Sequence, residues 1–428
     1  MRSPDEDRTV KIVVYPHDLH IGGSQINAIE IASRIARGGN ECIVFGRPGP
    51  LVDRVHELGL EFVPSPDPGR RPSGPAMATL AELVGGREID VIHGYEWPPS
   101  LEAWLVSLRS PRPVAAVSTV MSMAIAPFLP RTLPLVVGTA QIEAAERQSG
   151  RRLTTLIEPP VDLVENAPSP EGCRLRSRWG ISDDETCIVT VTRLAHELKL
   201  EGILSAIDAM PVLNTGRIVR LLIVGDGPAR AEVQDHASRV NGGLGFESVV
   251  LAGSMEDPRD AYDAADVVLG MGGSALRALA FGKPLIVQGE RGFWRLLTPD
   301  TVEQFLWTGW YGIGDSVDAG AELFVTEIGP ILDDSDRRET LGRFGRHLVE
   351  QRFGLDDAAE RQLVIYKAAL ALRAGRTGVL TDLVRSGMGY SKYVGARKGA
   401  KFLGRITRDD FNSRPVVMTG PPVPGRST

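Results

Sequence analysis

Cysteine is scarce in this sequence. The three present, Cys42, Cys173 and Cys187, are far apart and odd in number, and no CxxC or Cys/His cluster accompanies them. That excludes a disulfide framework and a zinc motif. Cys42 and Cys187 lie inside apolar, strand-like runs, so buried thiols in a reducing cytoplasm are the expectation. Long apolar runs are missing too. None approaches the roughly 18 residues that a membrane-spanning helix needs, and the N-terminal MRSPDEDRTV has no apolar leader core. Secretion is therefore not expected. Positive charge is not in excess either: the net charge of −6 argues against a nucleic-acid binder. No short-period internal repeat is present.

What the sequence does have is size and alternation. At 428 residues, 43% of them hydrophobic, it can fill two cores. KIVVY (11–15) is an apolar run of strand length. Ile26, Ile29, Ala32, Ile35 and Ala36 then recur at helical spacing until Gly38 and Gly39. Further strand candidates in the first half are 41–45, 61–64, 90–93, 114–117 and 135–138. The Pro-rich stretch 159–172 lacks periodicity and reads as a linker. The alternation restarts with strands at 187–192, 220–225, 248–253, 266–270 and 284–288, and 354–373 reads as a long closing helix. Strands separated by helices imply parallel sheets covered on both faces. The fold class is α/β: two tandem doubly wound, Rossmann-like domains. The expected organisation is a disordered start (1–9), an N-terminal domain (10–160), a linker (161–172), a C-terminal domain (173–353), the closing helix (354–373) and a basic, partly disordered tail (374–428).

Three pieces of the second half carry chemistry. Arg193 and Lys199 follow the strand CIVTVT, and two cations at a strand end can neutralise a diphosphate. Gly225, Asp226 and Gly227 sit in the turn GDGP between a strand and a helix, where glycines let backbone approach a ligand. Gly270, Gly272 and Gly273 crowd the loop before Ser274, read as a helix N-cap. The N–H groups of Gly273, Ser274, Ala275 and Leu276 are expected to form an anion cradle, with Arg277 adding charge. Taken singly, each piece is also a surface loop or a tight turn.

In the first half, Gly22 and Gly23 form a second glycine loop before a helix. His17 and His20 lack a third ligand, so no metal is expected. His93 ends the strand DVIH and reads either as a group touching a sugar hydroxyl or as a satisfied structural histidine. Tyr95 and Trp97 beside it are stacking or packing candidates. From Arg373 to Arg414 the tail holds ten Lys/Arg and three Asp/Glu with apolar residues interspersed. It reads as a solvated helix packed on the body, or as a segment meeting an anionic membrane.

The order of these elements resembles the retaining GT-B glycosyltransferases of the glycogen-synthase and α-mannosyltransferase type, often called family four. IEPPVD (157–162) stands where the family has a motif like PNGVD. RLAHELKLEG, GDGP and DAYDAADVVLG…ALAFGKPLIV match its later motifs, and QRFGLDDAAERQLVIYKAAL resembles its closing helix. The resemblance spans roughly residues 10–370. It implies a GT-B fold with a cleft between the two domains, and sugar transfer from a nucleotide diphosphate sugar with retention of configuration. No separate cofactor or metal is implied. The acceptor would be a surface glycan, a lipid-linked glycan or a small molecule, held mainly by the N-terminal domain. In this alignment Arg193 and Lys199 hold the diphosphate, the Gly272–Ala275 loop cradles it, and Gly22–Gly23 closes from the other domain. Two glutamates that the family places around this loop become Leu269 and Arg277. A histidine that it carries near 115–121 is replaced within AAVSTVM. These departures keep two alternatives open: a non-catalytic glycosyltransferase-like partner, and another GT-B enzyme class. The expected location is cytoplasmic, with a peripheral place at the inner membrane face for the tail.

Overall fold

A computed structural model describes residues 8–169, 172–372 and 376–402. The expected disordered start up to residue 7 and the tail beyond Phe402 lie outside the described residues. The strands are β1 (Lys11–Tyr15), β2 (Glu41–Gly46), β3 (Glu61–Pro64), β4 (Val91–Tyr95), β5 (Ala115–Val120), β6 (Leu135–Val137) and β7 (Thr154–Leu156) in the first half. In the second they are β8 (Thr186–Val191), β9 (Val219–Val224), β10 (Val249–Gly253), β11 (Val267–Gly270), β12 (Leu285–Gln288) and β13 (Trp294–Leu296). The early helices are α1 (Gly23–Arg37), α2 (Val52–Glu57), α3 (Gly74–Gly86), α4 (Trp97–Arg109) and α5 (Ala140–Gln148). The middle ones are α6 (Leu200–Leu213), α7 (Arg230–Leu244), α8 (Arg259–Ala264), α9 (Gly273–Ala280), α10 (Val302–Thr308), α11 (Gly320–Leu332) and α12 (Ser335–Arg352). The chain ends in α13 (Leu355–Ala371) and α14 (Arg376–Phe402).

The chain divides into two compact units. Residues up to Pro159, together with those from Leu355 through α14, form the first; Pro160–Gly354 form the second. The first unit holds a seven-stranded sheet in the order β3-β2-β1-β4-β5-β6-β7, parallel throughout. Its central strands are apolar runs because both faces are covered. Ile12, Val13, Val14, Ile92 and Val117 are fully or almost fully buried. Each such side chain contributes about 1.5–3 kcal/mol relative to exposure. The second unit holds a six-stranded sheet, β10-β9-β8-β11-β12-β13, with only β13 antiparallel.

Two features differ from the sequence reading. The short strands β7 and β13 were not anticipated; each is three residues long, below the length at which alternation is legible. The stretch read as a linker packs on the second unit instead. Ser169 N–H donates to Asp263 at 2.9 Å, and the Arg346 guanidinium donates to the Asn166 carbonyl at 3.0 Å. The closing helix expected at 354–373 is present as α13 and belongs to the first unit, where Asp356 pairs with Arg34 at 2.9 Å. The buried thiols expected at Cys42 and Cys187 are present, and burial raises both to about 12.

Candidate functional site

In an open wound sheet, ligands bind beyond the carboxyl ends of the strands, where strand order reverses. In the second unit that point lies between β8 and β11, which pair directly. The Arg193–Lys199 segment follows β8, and the Gly270–Ser274 segment follows β11. The topology therefore brings together the two pieces read as phosphate-binding.

Their contact is direct. Lys199 Nζ lies 3.0 Å from Met271 Sδ, in the loop that leads into α9. A thioether is a weak acceptor, and among the described residues no carboxylate pairs with Lys199. Desolvation lowers its pKa to about 8. The Lys199 carbonyl accepts from Gln288 Nε2 at 3.0 Å, which fixes the start of α6 against the end of β12. Arg193 is exposed at the mouth of β8, and its guanidinium has no partner among the described residues.

The GDGP turn packs its backbone against that loop. Leu194 N–H donates to the Asp226 carbonyl at 3.0 Å, and Ala229 N–H to the Leu194 carbonyl at 2.9 Å. Gly225 has φ +142°, and a Cβ there would fall on the Thr192 carbonyl oxygen. These glycines let two backbones touch, and so hold Arg193 in place. Asp226 is exposed. Its carboxyl is held below the ordinary value, first by the Gly227 N–H bond and then by Arg230.

The helix start differs from the reading. Gly272, with φ +57°, is the N-cap of α9, and Ser274 lies inside the helix. The Ser274 hydroxyl accepts from Met271 N–H at 3.1 Å and donates to the Met271 carbonyl at 3.0 Å. Ala275 and Leu276 spend their N–H groups on the Gly272 carbonyl, and Gly272 N–H goes to the Trp310 carbonyl. The cradle therefore reduces to the N–H groups of Gly273 and Ser274. Arg277 is half-buried on α9, near the Tyr262 ring. Leu269 is buried in the core on β11.

In the first unit the reversal lies between β1 and β4. Gly22 caps α1 after β1, and Gly23 is its first residue. Asp18 accepts from His20 N–H at 3.1 Å and from Gln25 Nε2 at 3.2 Å. Burial alone would raise the Asp18 carboxyl, but the His20 bond and the neighbouring imidazoles hold it low.

Glu96, which follows β4, carries no sequence signal and was missed. Its backbone has φ +66° and ψ 169°, a region almost reserved for glycine. Its carboxylate accepts from Ser24 Oγ at 3.0 Å, Met121 N–H at 3.0 Å and Ser122 Oγ at 2.5 Å. It thereby ties the Gly22–Gly23 helix start to the end of β5. Backbone strain of this kind clusters at functional sites.

His93 takes the structural reading, not the sugar-contacting one. It is fully buried. Nδ1 meets Tyr366 Oη at 2.6 Å and Nε2 meets Thr119 Oγ1 at 2.7 Å, so both nitrogens are engaged. Burial lowers its pKa to about 3. Among the described residues no three His, Cys, Asp or Glu side chains gather as metal ligands.

Residues 185–307 match the family described as Glycosyl transferases group 1. The chain is 26% identical over 418 residues to D-inositol 3-phosphate glycosyltransferase from Kineococcus radiotolerans, covering 83% of this chain and 93% of that protein. It is 31% identical over 246 residues to 2-deoxystreptamine glucosyltransferase from Streptomyces kanamyceticus, covering 54% and 59% of the two. Among solved structures, a glycosyltransferase from Rickettsia africae superposes with a TM-score of 0.68 at 15% identity, covering 85% of this chain and 99% of its own. Anabaena HepE in complex with UDP-glucose superposes with a TM-score of 0.64 at 17% identity, covering 85% and 100%.

Proposed function

We propose that this chain is a glycosyltransferase of the GT-B fold, a reading supported by the group 1 match over residues 185–307 and by its likeness to solved glycosyltransferases, and that it transfers a sugar from a nucleoside diphosphate sugar to a hydroxyl acceptor, with retention of configuration. The observation that carries the reading is the Lys199–Met271 contact beside the open N–H groups of Gly273 and Ser274. A partly desolvated ammonium without a counter-ion, next to a helix start, suits a diphosphate.

In this reading Arg193 and Lys199 stabilise the negative charge that builds on the leaving diphosphate as the glycosidic bond breaks. The α9 N-terminus holds one phosphoryl group in place. Two side-chain cations supply the neutralisation, so no metal is needed. UDP is the first base to try: HepE is solved with UDP and with UDP-glucose. The acceptor side falls to the first unit, at Gly22, Gly23 and Glu96. Retention rests on the resemblance to retaining enzymes.

A second reading follows from Leu269 and Arg277, which replace the two glutamates of the related enzymes. Arg277 offers no acceptor for ribose hydroxyls. On this reading the protein is a non-catalytic partner of another transferase.

Thermal shift titration with UDP, GDP, ADP and their sugars separates the two. A nucleotide at 100 times its Kd stabilises by about 2.7 kcal/mol. The glycosyltransferase reading expects such a shift for one nucleotide, lost in Arg193→Ala and Lys199→Met. No shift with any of them supports the partner reading.

A further inference from the structure

Helix α14 concentrates positive charge. Between Arg376 and Phe402 stand six Lys or Arg and one Asp, in a chain whose net charge is −6. The single acid is turned inward. Asp382 is buried, accepts from the Thr132 N–H and hydroxyl at 2.7 Å each, and pairs with Arg385 at 2.8 Å. The same inner face carries Tyr390 and Tyr393. Their ring centroids lie 5.6 and 5.3 Å from Phe128, and 6.0 and 5.9 Å from Trp97. The Tyr390 hydroxyl donates to the Arg71 carbonyl.

The outer face is the unusual one. Leu380, Val384 and Met388 recur every four residues and are 62%, 60% and 65% exposed. Lys392 and Lys398 are exposed further along the helix. A helix packed on its own protein ordinarily turns its apolar stripe inward. Here an aspartate and a tyrosine hydroxyl face the protein while leucine, valine and methionine face out.

We propose that α14 seats the first unit on an anionic lipid surface. The Leu380–Val384–Met388 stripe enters the headgroup boundary, and Lys392 and Lys398 meet lipid phosphates. A second copy is the poorer occupant, because pairing the stripes would bring two strongly basic helices together. No helix among the described residues is long and apolar enough to cross a membrane, so the contact is interfacial. The inner face of α14 touches the segments that follow β3, β4 and β5, through Arg71, Trp97 at the start of α4, and Phe128. Seating the helix therefore brings the ligand end of the first unit to the lipid. That last step rests on the glycosyl-transfer reading; the lipid contact does not.

The test is co-sedimentation of the full chain with vesicles of phosphatidylcholine alone, or mixed with phosphatidylglycerol. Binding is expected to the mixed vesicles only, and to weaken at high salt. It should fall at least tenfold in Leu380→Glu/Val384→Glu/Met388→Glu and in Lys392→Glu/Lys398→Glu, with unfolding temperature and UDP affinity unchanged. Failure to bind anionic vesicles, or equal binding by the triple variant, would overturn the proposal. So would light scattering that shows a dimer abolished by the triple variant, without vesicle binding. Unchanged UDP affinity in the variants keeps this outcome separate from the fate of the donor site.

Discussion

Lys199 and Met271 are 72 positions apart, and the Lys199 ammonium rests 3.0 Å from the Met271 sulfur. The pair joins the loop after β8 to the loop after β11 across the strand-order reversal of the second unit. A charge is thus held where burial disfavours it, beside an acceptor too weak to satisfy it.

The pH dependence of nucleotide affinity follows. The Lys199 pKa of about 8 lies below that of an exposed lysine because burial disfavours the charged form. A diphosphate prefers the ammonium, so UDP binding should be full below about pH 8 and weaken above it. Without ligand, the unfolded chain binds more protons than the folded one between about 8 and the ordinary lysine value near 10.4. This group's contribution to stability therefore rises with pH across that window. Lys199→Met should weaken UDP binding by about 10–100-fold, the loss of one charge-assisted contact worth roughly 1.5–3 kcal/mol. It should also flatten the alkaline limb. Calorimetric titration with UDP from pH 7 to 9.5 reads both; an identical profile in the variant removes Lys199 from the site.

His93 gives the same sign in a separate window at the acid end. Its folded pKa of about 3 lies below the ordinary 6.5, because a fully buried imidazole resists charging. The unfolded state takes up the proton first, so His93 stabilises the fold above about pH 6.5 and this contribution is lost as pH falls towards 3. Urea midpoints at pH 7 and pH 5 should show wild type losing more stability than His93→Gln. UDP affinity at pH 7 should be the same in both. A gap between the two that stays constant with pH would show that His93 does not titrate as described.

Much of this molecule is legible from residue order alone, and the reason is physical. Strands buried on both faces, such as β1 and β8, must be continuous apolar runs, so their limits can be read to within a residue or two. Glycines at Gly22 and Gly272 announce the loops at the two reversals. What is not legible depends on partners distant in sequence. Glu96 is one acidic residue in a loop until Ser24, Met121 and Ser122 close on it. Ser274 has the right chemistry for an N-cap, yet Gly272 takes that place because the chain there needs positive φ. The outward apolar stripe of α14 emerges only once Thr132 and Phe128 define which face is inside.

Glu96 holds a strained backbone in exchange for three hydrogen bonds. Glu96→Ala keeps the unfavourable φ and deprives the Ser24 and Ser122 hydroxyls and the Met121 N–H of their acceptor. It should cost about 1–3 kcal/mol, the penalty for unsatisfied polar groups. Glu96→Gln keeps one acceptor oxygen and should cost less. Both should leave UDP affinity intact, since that site belongs to the second unit. Denaturant unfolding measures the first effect and calorimetry the second. Equal stability of wild type and Glu96→Ala would show that these bonds hold nothing together.

Gly225 and Gly272 separate close approach from backbone conformation. Both have positive φ, +142° and +57°. A Cβ at Gly225 would collide with the Thr192 carbonyl, whereas nothing lies within 4 Å of a Cβ at Gly272. Gly272→Ala meets no neighbour but must hold φ +57° with ψ −129°, a sparsely populated conformation that costs a residue with a Cβ about 1–3 kcal/mol, and should fold with an altered α9 start and weaker UDP binding. Gly225→Ala must push two backbones apart. It should lose at least about 3 kcal/mol, in the range of strongly destabilising substitutions, and release the Arg193 loop. Comparing the two by thermal unfolding, and by UDP titration of whichever remains folded, tests whether the GDGP turn acts through the neighbouring loop. If Gly225→Ala is as stable as Gly272→Ala, the turn does not support Arg193 in the way its geometry requires.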